Sequence, residues 1–301
     1  MRKIFVLVAA VVLFLPFSPA SAGSVETRFV VDRGAEKTPL DLFSFDSSYV
    51  FESKISNGDE FNDQSAWEFE GEYSHRFHLT GKWYLRAGIN YNRFEFSETD
   101  APVPDHLQSL GALISLDYMV GGDRGAFLEI RPGFYGEDDF RSEAFDIPIT
   151  IGRAWVLRQD SLYLFTGLNV AFLRGQFPIL PLVGLVWVIN DQWLLYGVLP
   201  EPRLVYMPNK KIDLWLGGQL TGGSFRTNRD DSIVPQKLSN AQVDYSDYRG
   251  GIGFTWHACE GVDFELGGGY SIQRRFNFER ADEDYTTDPA PYVKVALKAE
   301  F

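Results

Sequence analysis

Histidine, cysteine and clustered carboxylates are the side chains that most often carry chemistry. This chain has four histidines and one cysteine in 301 residues. His75 follows Ser74, a base beside a hydroxyl, which would suit attack on an ester if both faced the same way. In an extended segment, however, neighbours point to opposite faces. An amphipathic imidazole at a strand end is the simpler account of His75. His78 falls in a short turn and His106 beside Asp105 in a polar loop, both expected to be solvated. His257 shares a strand face with Thr255 and Arg249, where a hydrogen-bonded network is expected. Cys259 has no partner at ligand spacing and the histidines are scattered, so neither a metal nor a cofactor is expected. Gly250-Gly251-Ile252-Gly253 and Gly267-Gly268-Gly269 lead into no helix that would hold a phosphate, and read as sharp bends in strands. No constellation points to an enzyme.

What remains is an electrostatic pattern. From Trp67 to Phe77 one face carries Trp67, Phe69, Gly71, Tyr73, His75 and Phe77; the other carries Glu68, Glu70, Glu72, Ser74 and Arg76. Lys82, Arg86, Glu129 and Arg131 are expected on the charged face of later segments. Such a row fits a polar interior behind an apolar exterior. It also fits a closed salt-bridge network.

The elements that must position those charges are strands. Alternation recurs at Trp83–Tyr91, Leu110–Val120, Ile212–Leu220 and Val262–Ile272, in runs of about ten residues, the length of a tilted membrane-crossing strand. Thirteen such segments are countable, starting near Phe43. Short turns at 78–82, 121–124, 158–161, 190–192, 208–211 and 257–261 interleave with long polar loops at 98–106, 137–144, 226–241 and 277–289. If both ends of the chain lie on one side, this interleaving requires an even number of crossings. The irregularity falls between Leu162 and Met207, where Pro178, Pro181, Pro200 and Pro202 interrupt the pattern. Either Pro200-Glu201-Pro202 reverses the chain, giving 14 strands, or Arg174–Asn190 fails to cross, giving 12.

The N-terminus reads as a leader: Met1-Arg2-Lys3, an apolar run from Ile4 to Phe17, and the small-residue stretch ending at Ala20 and Ala22, with cleavage before Gly23. The run is too short to span a bilayer as a helix. The expected organisation is a signal peptide over 1–22, a short periplasmic segment over 23–42 and a barrel over 43–301. The net charge is −13, and loss of Arg2 and Lys3 with the leader makes it −15. That argues against a nucleic-acid partner. With 25 Phe, 14 Tyr and 7 Trp, aromatics reach 15 %, as girdles of a membrane barrel would require.

The last ten residues, Tyr292–Phe301, place Val293, Val295, Leu297, Ala299 and Phe301 on one face and end on an aromatic. This closely resembles the terminal strand of Gram-negative outer-membrane proteins, which the barrel-assembly machinery recognises. More loosely, the whole chain resembles uncharacterised outer-membrane barrel families. The resemblance implies an all-β, antiparallel up-and-down transmembrane barrel of 12 to 14 strands in the outer membrane. Its partners would be outer-membrane lipids, lipopolysaccharide and the assembly machinery. The acidic groups in the long loops offer oxygen ligands for cations bridging lipopolysaccharide, although a solvated loop is the simpler account. The function expected is a non-enzymatic pore or carrier for small polar solutes; the alternative is a closed surface-interaction barrel. A lipid-modifying enzyme built on His75 stands third.

Overall fold

The computed structural model describes residues 38–120, 123–138, 140–175 and 177–301. The expected leader lies outside them. Among the described residues, 14 strands make one antiparallel sheet closed on itself. They are β1 (Asp41–Asn57), β2 (Asp59–Thr80), β3 (Trp83–Phe96), β4 (His106–Val120), β5 (Asp123–Ile130, continued by Gly133–Gly136), β6 (Phe145–Asp146, continued by Ile149–Arg158), β7 (Leu162–Val170) and β8 (Ile179–Asn190). Then follow β9 (Trp193–Gly197), β10 (Arg203–Asn209), β11 (Ile212–Arg226), β12 (Gln242–Cys259), β13 (Val262–Phe278) and β14 (Glu283–Thr287, continued by Ala290–Glu300). Each strand pairs with its sequence neighbours, and β1 meets β14 from Leu42 opposite Glu300 to Val50 opposite Tyr292. Closure leaves no free edge, the condition for crossing a bilayer with strands.

The two strand counts left open by the sequence resolve at 14. Pro200-Glu201-Pro202 is the turn, and it joins two short strands, β9 of 5 residues and β10 of 7. Prolines have no N–H to give a ladder, so regular pairing stops there. The first and last strands start and finish at the same end of the barrel: Leu40 N donates to Phe301 O at 2.6 Å. The short turns share that end, so by the usual arrangement it is periplasmic.

The opposite end is forked. Arg226 of β11 pairs in parallel with Gly136 of β5, and Glu137 N donates to Arg226 O at 3.1 Å. Strands β6 to β10 therefore end below this clasp. At this level β5 and β11 reach their last residues, and β1–β5 with β11–β14 close on each other without β6–β10.

Alternation sorts the side chains as the pleat requires. Trp67, Phe69, Tyr73, Phe77, Ile89, Leu116, Ile151, Leu216, Phe254 and Val295 are exposed on the outside. Inside the narrow outer end, Phe94, Phe96, Phe225, Tyr245 and Phe276 are buried against one another. The ring pairs Phe94–Tyr245 and Phe96–Phe276 both have centroids 4.9 Å apart and pack edge to face. Leu238, Ala101 and Leu173 from three loops pack into the same cluster. This aromatic seal fills the outer mouth. The inward glycines of β12 and β13 make room rather than only bend: a Cβ at Gly267 would lie 2.6 Å from Trp215 Cζ2, and Gly253 faces the same indole.

Candidate functional site: a charged lumen

Below the seal the interior is ionic. On β2 to β5 the inward rows bring together Glu72, Arg76, Arg86, Asp117, Arg124, Glu129 and Arg131, all nearly inaccessible to solvent. Glu129 is the hub. It accepts from Arg86 at 2.5 Å, Arg131 at 2.8 Å and Arg124 at 3.2 Å. Arg86 also approaches Glu72 at 3.5 Å and Asp117 at 3.6 Å. Arg131 holds Glu72 at 2.9 Å, and Arg124 holds Asp117 at 3.0 Å. Charges that share one low-dielectric space are stable only when paired in this way.

Two further groups run across the lumen. Glu68 of β2 meets Arg249 of β12 at 2.9 Å and accepts from Thr221 of β11. Arg249 is also held by Asp247 at 2.7 Å and by Ser48 at 2.7 Å. Nearer the periplasm, Lys294 of β14 reaches Asp46 at 2.6 Å and Glu201 of the β9–β10 turn at 3.0 Å. Arg203 grips Glu265 with two bonds, at 2.7 and 2.9 Å. The crossbars Glu68–Arg249, Lys294–Glu201 and Arg203–Glu265 join parts of the wall that are not neighbours, whereas Asp46 and Lys294 lie on the adjacent strands β1 and β14.

The residues expected in the lumen fall as follows. Glu68, Glu72, Arg76, Arg86, Glu129 and Arg131 are buried inside, and Glu70 is half-buried on the same inward row. Lys82 is exposed in the turn between β2 and β3, because β3 begins only at Trp83. Pattern reading does not join Asp117, Asp247 and Lys294 into a network; it places Arg124 in a turn and groups Arg249 with His257 and Thr255, whereas Arg124 is buried in β5 and Arg249 bonds Glu68, Asp247 and Ser48. Which walls face each other is not encoded in the local pattern.

The histidines differ from their expectation in one case. His106 is not a solvated loop residue: it opens β4, is buried, and sits between Asp105 at 2.7 Å and Asp138 at 2.9 Å. His257 lies between Asp213 at 3.0 Å and Asp263 at 2.6 Å. His75 bonds Asp41 at 2.8 Å on the outside, while Ser74 is buried inside.

Outside, aromatic pairs ring the periplasmic end: Trp83 with Tyr118, Trp193 with Tyr206, and Trp256 with Phe264. A closed ladder, an apolar exterior, an aromatic girdle and an ionic interior occur together only where the outside meets lipid. The chain is a closed β-barrel built to cross a membrane with its strands. Val293, Val295, Leu297, Ala299 and Phe301 lie on the outward face of its closing strand. No family model and no curated protein matches this barrel. Among solved structures, it is similar to an outer-membrane channel from Pseudomonas putida F1 at 13 % identity, covering 90 % of this chain and 100 % of that one, with a TM-score of 0.45. The Pseudomonas putida toluene transporter TodX is similar at 10 % identity, covering 87 % and 90 %, with a TM-score of 0.42. The translocator domain of the autotransporter NalP from Neisseria meningitidis is similar at 10 % identity, covering 88 % and 90 %, with a TM-score of 0.36.

Proposed function

We propose that this barrel is non-enzymatic and holds and passes small polar solutes through the charged middle of its lumen, with the aromatic seal as its outer gate. One observation carries the reading. On β2 and β3, Gln64 Oε1 and Nε2, Ser74 Oγ, Asn90 Oδ1 and Asn92 Oδ1 are buried without a hydrogen-bond partner. Buried polar atoms almost always have a partner, from protein, water or ligand. A strip of vacant donors and acceptors beside fixed charges suits a hydrated path or a small polar guest. Ion pairs of this kind contribute little to stability relative to apolar packing, so a solute-handling role gives the charges a purpose that folding does not.

The test compares wild type with a Phe94→Ala, Phe276→Ala double variant in planar bilayers and in liposome swelling with small sugars and amino acids. The variant, with its seal trimmed, should conduct and take up solute faster than wild type. Folded samples of both that neither conduct nor swell would overturn the reading.

The seal itself favours a second reading, a closed barrel whose outer loops contact a partner. Removing residues 226–241 should then abolish binding at the cell surface without impairing assembly.

A further inference from the structure

Arg153 stands in an unusual place. β6 turns Ile151, Arg153 and Trp155 outward, all exposed, onto a wall where a cation is costly and therefore marks a function or a partner. Its guanidinium lies over Trp155, 4.0 Å from the ring centroid. Among the described residues no carboxylate is within ion-pair distance of it.

Beside it the outer wall is grooved. A depression of about 520 Å³ spans β3 to β7. Leu116, Leu128, Ile151 and Leu168 stand opposite one another in register and form one apolar row. One step nearer the periplasm the row is Ala126, Arg153 and Thr166. The methyl of Ala126 leaves the space between Trp83 and Arg153 unfilled. Thr166 Oγ1 accepts from Trp155 Nε1 at 2.9 Å, so its hydroxyl proton remains available to donate. A cation and a hydroxyl thus sit at the girdle end of an apolar trough. That polarity matches an amphiphile with an anionic head toward the periplasm and a hydrocarbon tail toward the membrane centre.

We propose that this groove is a specific site for one phospholipid of the periplasmic leaflet, its phosphate held by Arg153 and Thr166 and one acyl chain laid along the Leu116–Leu168 row. Charge complementarity selects the occupant, since a neutral lipid would leave the guanidinium unpaired. Arg153 acts here as a phosphate ligand, a role that its planar donors suit. The site is independent of the lumen and of what the lumen carries.

The full barrel, delipidated in detergent, is titrated with short-chain phosphatidylglycerol and separately with diacylglycerol of the same chains, and bound lipid is counted by native mass spectrometry. Wild type should retain one phosphatidylglycerol in preference to diacylglycerol. Arg153→Gln should weaken that binding by about tenfold, the effect of losing one charge-assisted hydrogen bond, and Arg153→Lys should restore part of it. Ala126→Leu fills the trough while leaving the charge, and should also displace the lipid. Heat-modifiable migration verifies that each variant is folded. Equal retention of the two lipids, or equal phosphatidylglycerol occupancy in wild type, Arg153→Gln and Ala126→Leu, would mean unspecific annular lipid and overturn the site.

Discussion

Replacing Glu129 by Gln should damage this barrel more than replacing Arg86 by Gln, although the two side chains are bonded to each other. Glu129 takes three close guanidinium contacts, at 2.5, 2.8 and 3.2 Å. Its neutralisation leaves Arg86, Arg124 and Arg131 converging on an amide that cannot offset them. Arg86 is close to Glu129, but its approaches to Glu72 and Asp117 are long, at 3.5 and 3.6 Å. Each carboxylate it touches keeps another arginine: Glu72 keeps Arg131, Asp117 keeps Arg124, and Glu129 keeps both. Breaking a buried pair costs about 3–5 kcal/mol, whereas losing one charge-assisted bond costs about 1.5–3 kcal/mol. Glu129→Gln should therefore be the less stable, by about 2 kcal/mol at the middle of those ranges. The measurement is urea unfolding in lipid vesicles, followed by tryptophan fluorescence at low and high salt. Both losses should be nearly independent of salt, because the charges are buried. Equal losses, the reverse order, or losses that vanish in high salt would refute the hub.

Gly253→Val should drive a side chain into the Trp215 indole and cost about 1–3 kcal/mol, visible as a shifted Trp215 emission and a lower urea midpoint. Deleting Phe301 removes the bonds from Leu40 and Asp41 to its carbonyl and its own bond to Asp41. In cells the fraction of folded, heat-modifiable protein should fall, and an unchanged fraction would contradict the proposal that Phe301 is an assembly signal. Burial holds the Glu137 carboxyl above the ordinary glutamate range, and its Oε2 accepts from Asn228 N at 2.7 Å in the β5–β11 clasp. A raised folded value means that the group's stabilisation is full in acid and lost as pH rises through that value. Hydrogen exchange at Glu137 and Asn228, corrected for intrinsic rates, should therefore show more protection at acidic than at alkaline pH.

Where one periodicity governed, the sequence was enough. Trp67, Phe69, Tyr73 and Phe77 face out and Glu68, Glu72 and Arg76 face in because a pleated strand allows nothing else. Even crossing and the location of the irregular stretch followed from turn lengths. Three features were not legible. Phe94 and Phe96 continue the inward row of Asn90 and Asn92, but alternation fixes parity alone and does not mark where a polar inward row gives way to an aromatic seal. Lys82 missed the wall because strand ends are the least determined part of a pattern. The clasp of Arg226 with Gly136, and the burial of His106 beside it, depend on residues distant in sequence meeting across the barrel, and no local signal encodes that contact. Within the charged site, residue types and faces were readable, while the crossbars Glu68–Arg249 and Lys294–Glu201 needed the closed wall to bring them into reach.

The low flank also bears on how the molecule sits in its membrane. Five residues of regular strand in β9 give about 17 Å of wall along the strand, even before tilt, at about 3.3 Å per residue, against an apolar band about 25 Å tall in barrels of this class. Hydrophobic mismatch on one side only is relieved by leaning the barrel or by thinning the bilayer beside β9 and β10, at a fraction of a kcal/mol per ångström. The protein should therefore impose a lopsided dimple on the surrounding lipid, which would attract other short-walled proteins to that flank.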